Sequence, residues 1–507
     1  MLFRSFIHNS ILHLIGLSAF IFLLKKSIKF SEIKYFWILL LIFWIGLYVY
    51  KNHDDFPYYH LTYSLNLSEN SFIIGTGIFN YGFRTFSSLF YFHSLLYMPL
   101  IEIYLFHIGA FFILVFFNFV IISKIYEMYS KNKFNFIYYF SLLSFIFINI
   151  VFYRIAEHGT DRSAQILLIL IFIFFFEILF FYEKEKLIQN LIILSILIFL
   201  ASSMKAIYYL YLVLIPVVVF KSKIKVFLNI KKNTFLVLIL SSSLFLNLIT
   251  NYFNTGCFLY PSEKTCIIKS KWSIDKKEVA EMAVHYEWWS KAGGGPGYRS
   301  EIAKEEYVKN FVWLKNWIDR HFFNKVSDTL GGIILISIIV ISSFRIFSDK
   351  SKKFKIKNKY LFAYFFPLVF LIEWFLNHPA MRYGGYVLFA IPIFLYASSL
   401  IENFKLNKKK IKMLTIFFVI LTVIIFNVRN IVRLNKEINF YGYNIFSSPF
   451  YFVEKVENYK ILENNNLTIY STKNNKMCWA TKTPCSNAKN ISLDKFLWMN
   501  VVLKNDE

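Results

Sequence analysis

Short polar clusters interrupt an otherwise apolar chain, and their residue types suit proton transfer and anion binding. Together they comprise His53, Asp54, Asp55, His60, Glu157, His158, Asp161, Arg162, Lys205, His378, Arg382 and Tyr383. Carboxylates can take a proton from a hydroxyl group, and cationic side chains can hold a phosphate. Ionisable side chains at a membrane boundary are energetically costly, so their presence there indicates a functional site.

Asp54 and Asp55 are the candidates for a general base. They follow an apolar run and precede Pro57, a residue that favours the first turn of a helix. Desolvation raises the pKa of a carboxylate at such a boundary and nearby cations lower it, so its proton affinity can be tuned. The alternative is that one of the two only caps the following helix. The flanking His53 and His60 favour a site.

The second cluster has two interpretations. Glu157, His158, Asp161 and Arg162 lie within six positions, between two apolar runs. They form either a ligand-binding turn or an internal cap held by salt bridges.

The candidate cations are Lys205, Arg382 and Arg84. Lys205 either meets a phosphate anion or extends its amine to the membrane interface. Arg382 follows His378 and precedes Tyr383 and two glycines, in a turn that allows a ligand close approach. Its planar guanidinium suits bidentate phosphate binding. Trp288 and Trp289 either stack on a sugar ring or belong to the interfacial aromatic belt.

Composition identifies the elements that must position these residues as membrane helices. The chain has 507 residues, of which 57% are apolar and 21% aromatic. Apolar runs recur at about the 20 residues that cross a bilayer. The formal charge of +25 comes largely from lysines in the short connectors. This distribution is typical of cytoplasmic retention under the positive-inside rule, and it excludes a nucleic-acid-binding domain.

Placing the lysine-rich connectors in the cytoplasm predicts about twelve membrane crossings, with all four polar clusters on the outer face. The predicted crossings are residues 5–24, 35–50, 99–122, 136–152, 164–182, 188–203, 206–220, 234–250, 331–348, 360–376, 386–402 and 414–428. We therefore expect an all-α polytopic domain over 1–428. Its first outer loop, 51–98, carries two amphipathic helices on the membrane, and its large outer loop is 251–330. A small α/β appendage follows over 429–507, with a strand at Leu467 to Ser471.

All four cysteines fall in the long outer regions, which indicates an oxidising periplasm. They allow three pairings, and the two local ones, Cys257 with Cys266 and Cys478 with Cys485, need only short loops. The alternative is four unrelated thiols. No spacing in the sequence suggests a metal site.

The order of the clusters resembles the multi-pass C-type (GT-C) glycosyltransferases: an acidic first outer loop, a second acidic turn, and a late Arg-Tyr turn before a soluble tail. The segment Cys257 to Pro261 also resembles outer-loop segments of bacterial members. The resemblance implies an Asp in the first outer loop as base or metal ligand, here Asp54 or Asp55, and leaves a divalent metal ion open. It implies a polyprenyl-phosphate-linked sugar as donor and a glycan, lipid or protein as acceptor.

These features predict an inverting glycosyl transfer at the periplasmic face of a bacterial inner membrane. An O-antigen polymerase or ligase is the first alternative, although such enzymes depend more on arginine and histidine. A flippase for lipid-linked sugars is the non-enzymatic alternative. It would place its charges near the bilayer midplane in matched repeats, which the sequence does not show.

Overall fold

The fold is described from a computed structural model of the 507-residue chain. The structure describes residues 11–18, 30–98, 100–181, 186–222, 234–267, 270–292, 301–348, 358–454, 456, 459–464, 467–472, 477–486, 488, 491–497 and 499–504.

Helices dominate this part of the chain. After a helical segment at 11–18, the α-helices are α1 (Phe30–Phe43), α2 (Leu61–Glu69), α3 (Ser88–Leu95), α4 (Ile108–Ser130), α5 (Phe136–Val151), α6 (Ile155–Phe181), α7 (Leu187–Met204), α8 (Leu214–Ser222), α9 (Thr234–Thr255), α10 (Lys276–Lys291), α11 (Lys304–Tyr307), α12 (Leu314–Trp317), α13 (Ser327–Ile346), α14 (Asn358–Asn377), α15 (Gly385–Ile401) and α16 (Lys408–Tyr441). Tighter 3-10 turns lie at Trp44–Leu47, Thr76–Ile78, Tyr81–Arg84, Ile103–Leu105, Ala206–Val213, Glu263–Thr265 and Met381–Tyr383. Wider π-helical turns lie at Phe56–His60 and Ile318–Val326.

Six helices in the described residues are long and apolar enough to cross a membrane, namely Ile103–Ser130, Gly159–Phe181, Leu187–Met204, Leu314–Ile346, Tyr360–Asn377 and Lys408–Tyr441. Four shorter apolar helices accompany them, at Ile33–Leu47, Phe136–Val151, Ala206–Lys221 and Gly385–Ile401. The predicted class, a helical polytopic membrane protein, is confirmed. The predicted number of twelve crossings is not confirmed, and most of the first predicted span, 5–24, lies outside the described residues.

The core is built around α6. The window of this helix that could span a membrane is 83% buried, against 28% to 56% for the other long spans. It packs against α4 and α7, while α5 packs against α15 and α16. Asn135 starts α5 by accepting hydrogen bonds from the amides of Ile137 and Tyr138, which satisfies donors that the first helical turn leaves free. Because α5 and α6 are buried on most sides, their apolar side chains contact mainly other protein side chains.

The C-terminal region carries β-strands that reach back to the first outer loop. Strands β2 (Tyr459–Asn464) and β3 (Leu467–Thr472) form one antiparallel pair, with Tyr459 opposite Thr472. Strands β4 (Ile491–Phe496) and β5 (Met499–Lys504) form another, and β1 (Ile73–Ile74) lies parallel to β5. The predicted strand at Leu467 to Ser471 is confirmed. A strand of the first loop thus shares a sheet with the tail.

Two boundaries differ from the prediction. The helix that contains α12 and α13 begins at Leu314, inside the range assigned to the large outer loop. Helix α16 runs on to Tyr441, into the range assigned to the soluble appendage. Both extensions are amphipathic rather than fully apolar, so a hydropathy criterion ends the helix too early.

The two predicted helices of the first outer loop are present, and α2 packs against other parts of the protein. Leu61 and Leu65 of α2 are buried at 0% and 3% exposure and pack with Tyr451 of the C-terminal region. Their apolar spacing predicted a buried face correctly, and protein covers it.

Both local disulfides are confirmed. Cys257 is bonded to Cys266 and Cys478 to Cys485, so no cysteine is free.

Candidate functional site

Asp55 lies at the start of the wide turn Phe56–His60. Its position is that of a helix cap, yet its side chain makes no capping hydrogen bond. Arg382 Nη2 instead donates to Asp55 Oδ2 at 2.6 Å, and the Tyr59 hydroxyl approaches the same oxygen at 3.4 Å. His53 Nδ1 lies 3.4 Å from the same oxygen. The capping alternative for Asp55 is therefore wrong, and its carboxylate belongs to a cluster of charges.

Asp161 enters the same cluster from α6. The helix breaks at Gly159, whose φ of 42° suits glycine because a side chain would be strained there. Asp161 begins the regular part of the helix and accepts a hydrogen bond from Arg382 Nε at 2.7 Å on Oδ2. Its other oxygen accepts a hydrogen bond from Lys205 Nζ. Lys205 itself lies in extended backbone between α7 and the 3-10 turn Ala206–Val213.

Arg382 therefore bridges two carboxylates from distant parts of the sequence. It lies in the 3-10 turn Met381–Tyr383, which Gly384 ends at a φ of 109° before α15 begins. Gln165 of α6 donates to the carbonyl oxygens of Met381 and Arg382 at 3.3 Å and 3.2 Å, which fixes this turn against α6. The four charges of Asp55, Arg382, Asp161 and Lys205, hereafter the charge quartet, sum to zero.

The charge quartet lines a cavity of about 1150 Å³. Helix α10 of the large outer loop lies along it, and Trp289 of this helix lies 5.3 Å from the Arg382 guanidinium. The centre of the Tyr383 ring lies 4.4 Å from the Lys205 amine. Apolar residues Ile207 and Leu210 of the 3-10 turn line another part of the wall, and Leu210 is 43% exposed. The cavity therefore joins a charged region to an apolar wall.

Mutual charge neutralisation sets the protonation of the quartet. Burial raises the pKa of Asp55, but the charges of Arg382, His60 and His53 lower it by more, so it lies below its ordinary value. Burial lowers the pKa of Arg382, and Asp161 and Asp55 raise it by more. At neutral pH Asp55 is thus ionised and held by its cation.

The neighbouring histidine is neutral. Burial above all, together with the charges of Lys291 and Lys205, lowers the pKa of His378 to about 4. Its ring lies 5.7 Å from that of Tyr383.

The predicted site residues divide into two groups. Asp55, Asp161, Lys205, His378, Arg382 and Tyr383 line the cavity, and His53 contacts Asp55. Asp54 is exposed and does not line it. The structure thus separates the adjacent aspartates and favours Asp55 as the functional one.

The other candidates lie elsewhere. His60 is the last residue of the wide turn, is buried at 7% exposure and does not line the cavity. Arg84 donates to Glu278 at 2.7 Å and to the Gly77 carbonyl at 3.0 Å, and its own side chain does not line the cavity. Arg162 lies between the rings of Phe152 and Tyr386, at 4.5 Å and 4.4 Å, so its role is in packing. The side chains of Glu157 and His158 lie outside the described part of the structure.

Several cavity residues were missed by sequence analysis. Tyr58, Tyr59, Tyr286 and Glu373 line it, as does the predicted segment Cys257 to Pro261 through Leu259, Tyr260 and Pro261. Tyrosines are abundant throughout the chain, so individual ones carry no signal. Glu373 was detectable, because it is an acidic residue within a predicted membrane span. Trp289, an undecided candidate, lies in the cavity wall.

The donor set does not fit a divalent metal ion. Asp55 and Asp161 both bind cationic nitrogens, which occupy the oxygens that a metal would need. Across the described residues, no group of three or more His, Cys, Asp or Glu side chains could hold an ion. The site therefore gives no support to the divalent metal ion that the family resemblance left open.

Comparison with known proteins finds one family. Residues 11–389 match the family described as Domain of unknown function (DUF8201). No curated protein and no solved structure matches the chain.

Proposed function

Since the chain belongs to the DUF8201 family, whose description assigns no activity, we propose a function from the site: an integral-membrane glycosyltransferase. It moves a sugar from a polyprenyl-phosphate donor to a glycan, lipid or protein acceptor at the periplasmic face of a bacterial inner membrane. The observation that carries the proposal is the charge quartet in a large cavity with an apolar wall.

Each charge of the quartet has a task in this reaction. Asp55 takes the proton from the acceptor hydroxyl as its oxygen attacks the anomeric carbon. The bond between that carbon and the phosphate oxygen breaks, and its electron pair leaves on the phosphate. Arg382 and Lys205 stabilise the negative charge that develops there. Attack opposite the leaving phosphate inverts the anomeric centre.

Phosphate binding also explains how an ion-paired carboxylate becomes a base. A donor phosphate competes with Asp55 and Asp161 for Arg382 and Lys205. As Arg382 turns to the phosphate, Asp55 loses the strongest cause of its lowered pKa and gains proton affinity. The base is therefore exposed when the donor is in place, which limits reaction with water.

The remaining walls suit a lipid-linked sugar. Ile207 and Leu210, in the apolar segment Ala206–Lys221, offer apolar contact that would suit a polyprenyl chain. Tyr59 and Trp289 offer ring faces beside the charge quartet, and sugars stack on such faces. A soluble sugar substrate could use these ring faces but would not need the apolar wall.

The test compares two adjacent aspartates. Purified full-length protein in phosphatidylethanolamine–phosphatidylglycerol vesicles is given polyprenyl-phosphate-linked radiolabelled hexoses and an envelope acceptor fraction. Asp55→Asn should lower transfer by about 100-fold or more, because a base is lost. Asp54→Asn is the matched control, and it should retain near-normal transfer because Asp54 is exposed outside the cavity.

Two results would contradict the proposal. Full transfer by a folded Asp55→Asn variant would remove the base. Movement of unchanged labelled lipid across the vesicle, without covalent transfer by the unaltered chain, would assign the protein to the flippases.

A further inference from the structure

The backbone on both sides of Asp55 is bonded to the C-terminal region. Upstream, the Val49 amide donates to the Phe450 carbonyl at 2.8 Å, and Val49 forms a parallel bridge with Tyr451. Asn52 Nδ2 then donates to the Phe452 carbonyl at 2.9 Å. These contacts end three residues before Asp55 and join positions about 400 apart in sequence.

Downstream, the contacts come from the loop that the Cys478–Cys485 disulfide closes. The Trp479 amide donates to the Pro57 carbonyl at 3.1 Å, and Thr62 Oγ1 donates to the Trp479 carbonyl at 3.3 Å. One residue of this loop thus bonds both to Pro57 within the wide turn and to Thr62 of α2, just after it. Thr483 extends the attachment by donating to Glu69 at the end of α2, at 2.6 Å.

Side-chain packing holds the residue next to Asp55. The ring of Phe56 is stacked on His107 at 4.5 Å and meets the edge of Tyr451 at 5.2 Å. Tyr451 is fully buried, and Trp479 packs against the same cluster. Phe56 is 3% exposed, so a shift of this residue would have to open the cluster.

The wide turn needs such external support. A π-helical turn is less stable than an α-helical one and occurs mostly as a single turn near functional sites. Pro57 removes one backbone donor from this turn. The local sequence therefore does not fix the direction of Asp55, and a displacement of about 1 Å can cost a large factor in rate.

We propose that Phe450 to Phe452 and the disulfide-closed loop Cys478 to Cys485 form a clamp that positions Asp55 for catalysis. Trp479 is the positioning residue of this clamp, and it acts through the turn Phe56–His60 without touching substrate. The clamp rests on the proposed glycosyl transfer for its purpose. Its geometry predicts an effect on the chemical step, separate from donor binding.

The first test separates kcat from KM with the vesicle assay described above. Trp479→Ala should lower kcat by about tenfold to 100-fold and leave KM for the labelled donor within about twofold, because the donor's cations are untouched. Trp479→Phe should restore most of kcat, since it keeps an aromatic ring in the cluster. Leu497→Ala, a 76% exposed position in the same region, is the control and should change neither constant.

The second test does not depend on activity. Hydrogen–deuterium exchange of residues 55–62 should rise in a variant with both Cys478→Ser and Cys485→Ser. The matched control opens the other disulfide with Cys257→Ser and Cys266→Ser, and it should leave exchange of residues 55–62 unchanged.

The outcomes distinguish the two proposals. Unchanged exchange in 55–62 and unchanged kcat in Trp479→Ala would overturn the clamp while leaving the transferase intact. Raised exchange in a protein that transfers no sugar would overturn the transferase and, with it, the catalytic purpose of the clamp. A fall in thermal stability with kcat and exchange unchanged would also overturn the clamp, since the contacts would then only stabilise the fold.

Discussion

Arg382 can lie between two carboxylates because each of its donor edges meets a different one. Its Nε bonds to Asp161 and its Nη2 to Asp55, at 2.7 Å and 2.6 Å. A lysine offers a single rotatable ammonium, without the pair of directed edges that fixes the positions of both carboxylates. Burying two carboxylates and two cations together costs less than burying any of them alone, because each ion retains a partner.

This balance predicts an unusual effect for Asp161. In Asp161→Asn, Lys205 and Arg382 lose a competing anion, so the affinity for inorganic pyrophosphate should rise about tenfold, which is about 1.4 kcal/mol. Titration calorimetry at fixed ionic strength measures it. Glu177→Gln, which alters the Lys124–Glu177 pair at the other end of α6, is the control and should leave the affinity unchanged. Unchanged or weaker pyrophosphate binding by Asp161→Asn would contradict competition within the quartet.

His378 should make stability depend on pH. Its pKa is lowered to about 4 in the fold, against about 6.5 in the unfolded chain. The unfolded state therefore binds the proton first, so the free energy of unfolding is highest above pH 6.5 and falls as pH drops towards 4. The loss approaches about 3 kcal/mol.

Thermal unfolding between pH 4 and 7.5 measures this effect. His378→Asn should flatten the slope in part, because burial also lowers the pKa of His60 to about 4. His285, which is partly exposed on α10, is the control position, and His285→Asn should change the slope less. If stability depended on pH identically in His378→Asn and the unaltered chain, the pKa of His378 would be the same in the folded and unfolded states, which would contradict the prediction.

The sequence could predict which residues share the site, but it could not distinguish Asp55 from its neighbour Asp54. Lysine placement and apolar runs predict that Asp55, Asp161, Lys205 and Arg382 share one face of the membrane, and the structure places them in one cavity. The choice between Asp54 and Asp55 depends on the wide turn Phe56–His60, whose register no local pattern fixes. Pro57 of that turn accepts a hydrogen bond from the amide of Trp479, which is distant in sequence, so the form of the turn is a tertiary property.

Among the elements, α10 decides how the cavity is covered. Asp275 starts it by accepting a hydrogen bond from the Lys277 amide at 2.7 Å. Glu278 then fixes it to the first outer loop through Arg84, at 2.7 Å, and Lys504 of β5 approaches the same carboxylate at 3.4 Å. Glu278 therefore joins three outer elements: α10, the first outer loop through Arg84, and β5 through Lys504. This explains Arg84 as a brace, where its sequence position suggested a ligand.

Breaking this brace should destabilise the outer region. Glu278→Gln leaves the buried Arg84 without its anionic partner, and we expect a loss of roughly 2 kcal/mol of unfolding free energy. Glu281→Gln is the control, because Glu281 is exposed on the same helix. Denaturant unfolding followed by tryptophan fluorescence compares them, and equal stability of the two variants would show that the Arg84 contact contributes nothing.

At the scale of the molecule, α16 relates the site to the lysine-rich face. It has 34 residues and spans about 50 Å, which exceeds the roughly 30 Å of bilayer hydrocarbon. Its first residues, Lys408 to Lys410, are basic, while its last, Tyr441, stacks on Tyr50 at 4.7 Å beside the first outer loop. One helix thus connects the two faces that the positive-inside rule assigns to opposite sides.

The assignment of faces predicts a labelling pattern in intact cells. All four native cysteines are paired, so an introduced cysteine is the only thiol that a membrane-impermeant maleimide can reach. Glu305→Cys, exposed beside α10, should be labelled from outside the inner membrane once the outer barrier is opened. Lys409→Cys, exposed at the start of α16, should be labelled only after the inner membrane is permeabilised. Labelling of Lys409→Cys before that step would invert the topology. The cavity would then face the cytoplasm, and a donor presented at the periplasmic face could not reach Asp55.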